Sequence, residues 1–200
     1  MRPWFFLLLP ALVVACGSPP DEFGKPTDVF LAPNGELYVS DGYENTRVAR
    51  FDVRGMFLDA WGDPGSEPGH FDIPHGIASD GKDRVYVADR GNARLQIFDL
   101  EGMLVDVWSG PEIGRPWGVE VAPNGHVFVI DGGDQLDDAP SGRALELDRD
   151  GKVITSWGSF GREEGQFDTG HDITVGPDGS VYVVEQVGRR VQKFRPKMMP

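Results

Sequence analysis

Two histidines occupy the same place in two copies of one short pattern: His75 in "IPHGIASDG" and His171 in "TGHDITVGPDG". A neutral imidazole is a nitrogen ligand for zinc, and two of them converging from separate segments begin a metal site. The residue after His171 is Asp172, a carboxylate of the kind a hard cation such as calcium takes together with backbone carbonyls. Two further candidates come from turns. "VSDGYENTRVARFD" holds Tyr43, a phenol, and "VADRGNARLQIFD" holds Arg90, a guanidinium. Each occurs once, so the repeat does not explain either. A competing reading stays open on the residues alone: the histidines hydrogen-bond within their turns, and Tyr43 and Arg90 are simply exposed. His70 and His126 read as surface residues.

The elements that must position these groups repeat along the chain. Four units begin with a turn and a short apolar strand, "KPTDVFLAPNG", "IPHGIASDGKD", "RPWGVEVAPNG" and "TGHDITVGPDG". Second strands follow as "ELYVSD", "RVYVAD", "HVFVID" and "SVYVVE", then a turn ending in Arg47, Arg94, Arg143 or Arg190, then a third strand. Three units add a fourth strand between a Gly and a Trp: Gly55/Trp61, Gly102/Trp108 and Gly151/Trp157. Short alternating strands with Asn-Gly and Asp-Gly turns at this period, and no helical apolar period, predict an all-β propeller. It has about four four-stranded blades, the last incomplete, either closed or left as an open arc. Open edges would invite pairing with another chain, so a homo-oligomer is one expectation. Outer-strand Trp and Phe residues are the expected filler between blades. The turn leading into each first strand lies nearest the axis, and reading down the units gives Thr27, His75, Trp117 and His171, then Asp28, Gly76, Gly118 and Asp172. Opposite charges bracket each second-to-third turn, Asp41/Arg47, Asp89/Arg94, Asp131/Arg143 and Glu185/Arg190, which reads as hairpin architecture worth a modest amount.

The chain has 200 residues and a formal net charge of −13. That length suits one domain or a small repeat array, and the acidic balance argues against nucleic acid as a partner. Residues 1–15 read as an export signal: Arg2, a short apolar run from Trp4 to Val14, and Ala15 at the cut. The run "VVAC" ends in Cys16, the only cysteine, and resembles a bacterial lipobox, so Cys16 is the expected lipidation site. Residues 16–22 then form a lipidated linker, 23–196 the repeats and 197–200 a tail. The expected location is the cell envelope, as an exported bacterial lipoprotein that meets the membrane only through its lipid.

"PTDVFLAPNGELYVSDGYENTRVARFD", "WGDPGSEPGHFDIPHGIASD", "RVYVADRGNARLQIFD" and "GHDITVGPDGSVYVV" together resemble the peptidyl-α-hydroxyglycine α-amidating lyases, a branch of the NHL-repeat propellers. The resemblance covers about Phe23 to Phe194. It implies cleavage of a peptidyl-α-hydroxyglycine into a peptide amide and glyoxylate, on a propeller that holds zinc and calcium. On these motifs His75 and His171 would be zinc ligands, Asp172 a calcium ligand, Tyr43 the catalytic phenol and Arg90 its cationic partner. A cation beside a phenol favours phenolate, which can take a proton from the substrate hydroxyl. Two features depart from the family: its third zinc histidine has no counterpart here, and Thr169-Gly170 stands where Met-Pro is usual. Asp28, another chain or solvent would then complete the metal site. The alternative function is a non-catalytic NHL-type propeller that binds a peptide or a protein partner.

Overall fold

A computed structural model of the chain describes residues 22–133 and 140–195. The export signal, Cys16 and the tail from 197 lie outside the described residues. Among those residues every regular element is a strand. Blade 1 comprises β1 (Asp28–Leu31), β2 (Leu37–Asp41), β3 (Arg47–Phe51) and β4 (Phe57–Trp61). Blade 2 follows with β5 (Pro74–Ser79), β6 (Val85–Asp89), β7 (Arg94–Phe98) and β8 (Leu104–Ser109). Blade 3 has β9 (Pro116–Val121), β10 (Val127–Asp131), β11 (Arg143–Leu147) and β12 (Val153–Trp157). Blade 4 has β13 (Gly170–Val175), β14 (Val181–Glu185) and β15 (Arg190–Phe194). Each is an antiparallel sheet in chain order, the last with three strands, as the truncated fourth unit predicts. Tight turns set the register. Asp52 Oδ1, for example, accepts the backbone N–H groups of Arg54 and Met56, while Gly55 takes the left-handed conformation with φ of 77°.

The blades stack through an aromatic at one repeated position. Tyr38, Tyr86 and Phe128, on β2, β6 and β10, each join an apolar cluster shared with the following blade. Trp61, Trp108 and Trp157 belong to the same three clusters, so the outer-strand tryptophans are filler as expected. The middle of the stack is driest: β5, β6 and β7 are buried throughout. The two ends are open. Val29 and Leu31 of blade 1 are 58% and 64% exposed, and Val191 of blade 4 is 63% exposed.

The charge pairs around the turns are stronger devices than a surface hairpin pair. Asp41, Asp89, Asp131 and Glu185 are buried, and each receives its arginine: Arg47, Arg94, Arg143 and Arg190. The arginines then reach outward to the carbonyls of the loop that leads in from the previous blade. Arg94 donates to the carbonyls of Ser66, Glu67 and His70, and Arg190 to those of Arg162, Glu163 and Gln166. In blades 2, 3 and 4 the latch therefore ties a turn to an inter-blade loop, while Arg47 of blade 1 donates to the Glu22 carbonyl ahead of β1. Asp89 also accepts Asn92, Gln96 and the Asp72 backbone N–H. Asp89→Ala is expected to cost roughly 3–5 kcal/mol, because it strands a buried guanidinium. Glu101→Ala, on an exposed turn, should stay within about 0.5 kcal/mol in the same denaturant titration.

Candidate active site at the axial mouth

The second-to-third turn of one blade caps the first-strand residue of the next. Tyr43 follows β2, and its hydroxyl lies 3.2 Å from Nε2 of His75 at the start of β5. Arg90 follows β6, and its guanidinium carbon lies 3.4 Å from the ring centroid of Trp117 on β9, a cation–π stack. His171 stands at the corresponding place on β13. The three first-strand rings converge: His75 and His171 are 4.8 Å apart between centroids, and Trp117 is 5.4 Å from the first and 5.5 Å from the second. The column read from the sequence is thus a physical cluster.

The proton on His75 is assigned by its partners. Nδ1 is 2.8 Å from the Trp117 carbonyl, which can only accept, so Nδ1 carries the hydrogen. Nε2 is left as the acceptor, and the Tyr43 hydroxyl donates to it. Burial pushes the His75 pKa down to about 4, with the neighbouring His171 and Arg90 acting the same way against the Trp117 hydrogen bond. His171 is also lowered, by burial first and Arg90 second. Both rings are neutral at pH 7, the form that binds metal.

Carboxylates line the axis beside them. Asp28 accepts the Ile77 N–H across the seam between blades 1 and 2, as well as the Val29 N–H. Burial raises its pKa to about 6, against those hydrogen bonds, and the charge of Asp172 adds to the rise. Asp172 accepts the Ile173 N–H and is also raised, by desolvation and then by Glu120. Glu120 on β9 bonds Thr174 of β13 and is raised by burial.

Tyr43, His75, Arg90, His171 and Asp172 therefore all lie around one mouth or just inside it, with Tyr43 47% exposed and His75 buried. Arg90 acts on both imidazoles and rests on Trp117. Two participants were not assigned a role by the residues alone. Trp117 was visible in the column, but a tryptophan between strands reads as core. Glu120 reads as an ordinary polar position in an alternating strand. His126, by contrast, bonds Glu146 at 2.6 Å, away from this cluster in the blade-3 sheet. As a metal site the donor chemistry suits zinc through two neutral nitrogens, but no group of three metal-ligating side chains is assembled among the described residues.

The NHL repeat model matches residues 71–98, the heart of blade 2. Peptidyl-glycine alpha-amidating monooxygenase B of Xenopus laevis is 34% identical over 190 residues, which cover 90% of this chain and 21% of that protein. Peptidyl-alpha-hydroxyglycine alpha-amidating lyase 2 of Drosophila melanogaster is 28% identical over 188 residues, 90% of this chain and 43% of the relative. The chain thus spans about a fifth to under half the length of these relatives. Among solved structures, virginiamycin B lyase from Staphylococcus aureus superposes with a TM-score of 0.62 at 14% identity, covering 90% of this chain and 58% of that one, a likeness of fold alone.

The raised pKa of Asp28 fixes the sign of one prediction. The folded state binds this proton up to about pH 6, the unfolded chain only to about pH 3.8. The contribution of Asp28 to stability is therefore full below the unfolded value and is lost as the pH rises through 6. Asp28→Asn removes that loss. Its stability relative to the parent should rise by about 3 kcal/mol between pH 3.5 and pH 7.5, measured by urea unfolding at both.

Proposed function

We propose, from its likeness to the peptidyl-glycine α-amidating proteins and from the axial geometry, that this chain works as an amidating-type lyase. Its substrate class is a peptide ending in α-hydroxyglycine. In this reaction the substrate hydroxyl loses a proton, the C–N bond breaks with its electron pair going to nitrogen, and that nitrogen gains a proton. The products are a peptide amide and glyoxylate. The observation that carries the reading is the Tyr43–His75 hydrogen bond, which sets a phenol against an imidazole lone pair at the mouth.

Without metal, His75 Nε2 accepts the Tyr43 hydroxyl; a metal on Nε2 would free that phenol, which exchanges a proton with the substrate hydroxyl and then with the leaving nitrogen. Arg90 helps to keep both imidazoles in the neutral form. Zinc is the proposed cofactor, which His75 and His171 would hold with other positions filled by another chain or by solvent; when bound it would supply Lewis-acid polarisation of the substrate oxygen. The Nε2 lone pair of His75 serves either Tyr43 or a metal, so the two compete for it. Asp172, with Asp28 nearby, offers oxygens for calcium. A second reading, a binding propeller without catalysis, is favoured by the want of a third metal ligand among the described residues.

Glyoxylate release from N-benzoyl-α-hydroxyglycine by the full chain separates the two. The lyase reading expects release that stops with a chelator and returns with zinc, and a loss of at least about 100-fold in Tyr43→Phe. Release that ignores both changes would sink the assignment, and no release with zinc present would leave the binding module.

A further inference from the structure

Among the described residues three seams join the four blades, and each is made of the same two halves. The earlier blade presents an aromatic from its second strand and an apolar residue from its third, Tyr38 and Val48 at the first seam. The later blade receives them with one residue of its first strand, two alternate residues of its second and one that ends its third: Ile77, Val85, Val87 and Phe98. Leu100, just past that strand, adds its side chain to the cluster and its carbonyl to the Tyr38 hydroxyl at 3.3 Å. The second and third seams repeat the pattern. Both halves also stand unpaired, one at each end of the stack. By strand register, blade 4 presents Tyr182 and Val191 at the places of Tyr38 and Val48. Blade 1 offers Val29, Leu37, Val39 and Phe51 at the places of Ile77, Val85, Val87 and Phe98, with Val53 at the place of Leu100. Ile77 is 3% exposed in its seam, whereas Val29, Val53 and Val191 are 58%, 72% and 63% exposed.

Apolar side chains left out in water on a sheet face mark a surface that meets another molecule. We propose that the occupant is a second copy of this chain, docked head to tail, with blade 4 of one copy laid on blade 1 of the other as a further seam of the same kind. The repeat selects the partner: each end face is one half of a joint whose other half the chain itself carries at its opposite end. The contact is face to face, unlike pairing along the free edge of β15, and it does not depend on the lyase reading. Such a joint is heterologous, so two copies close a ring if the rotation allows and further copies extend a chain if it does not. The tryptophans that complete the inner seams come from the fourth strands, Trp61, Trp108 and Trp157. Blade 4 has three strands among the described residues and brings no such ring, so the joint between copies is weaker than those within a chain and forms reversibly.

Sedimentation velocity of the full chain across a concentration series tests the joint. The parent should pass from monomer to dimer or larger species as concentration rises. Val191→Glu and Val29→Glu each place a carboxylate on one end face, at a side chain that is already exposed within the chain. Each variant alone should associate at least about 10-fold more weakly than the parent, because the joint would bury an unpaired charge. Mixing them is the decisive step. The Val191→Glu copy keeps a sound blade 1 face and the Val29→Glu copy a sound blade 4 face, so an equimolar mixture should form one-to-one pairs and nothing larger. That recovery also shows that both variants are folded. A parent that stays monomeric throughout would overturn the joint. So would undiminished association of either variant alone, which would mean that one face pairs with itself or that strand edges pair, and so would variants that fail to pair on mixing.

Discussion

The hydrogen bond from His75 Nδ1 to the Trp117 carbonyl crosses the seam between blades 2 and 3, and it can form only because the inner strands there approach closely. A Cβ on Gly76 would come within 2.7 Å of the Gly118 Cα, and one on Gly118 within 2.6 Å of Asp172 Oδ1. Glycine at these two places lets β5, β9 and β13 close around the axis. The other contacts of the mouth cross seams as well. Tyr43 reaches from blade 1 to His75, Arg90 from blade 2 to Trp117, and Asp28 from blade 1 to Ile77. The chemistry belongs to the joints between repeats, so the aromatic stacking that sets the spacing of the blades also sets the distances within the site.

Carboxylates are used in two opposite ways. At the rim, Asp41, Asp89, Asp131 and Glu185 are buried against arginines, and the last three couples fasten a turn to an inter-blade loop. Along the axis, Asp28, Glu120 and Asp172 are held up in pKa chiefly by desolvation, and each feels another member of the group. Burial raises Asp89 at the rim too, so what sets the axial acids apart is that each is pushed up further by another acid of the group; they weaken the fold at neutral pH and would gain from a cation.

Blades, turns and the columns of first-strand residues were legible in the sequence because each depends on local chemistry: period-two alternation, Asn-Gly turns and a repeat that fixes register. The all-β reading and the three-strand fourth blade follow from those signals. The cross-blade contacts were not legible. Tyr43 and His75 are 32 residues apart and His75 and Trp117 are 42 apart, and which turn overhangs which strand depends on how one blade is rotated against the next. Trp117 carried no sign of its role, since the indole that holds Arg90 is also buried like a core residue. The arginine column was read as hairpin pairing because the loop carbonyls that Arg94 and Arg190 collect carry no side-chain signature.

The neutral imidazole pair is the centre of the account, and zinc titration of the metal-free full chain tests it most directly, with bound metal counted by native mass spectrometry. The account predicts about one zinc per chain, lost in His75→Ala and in His171→Ala alike, and retained in Tyr43→Phe, where the phenol no longer competes for Nε2. A chain that takes no zinc, or one that keeps its zinc in both histidine variants, would contradict it.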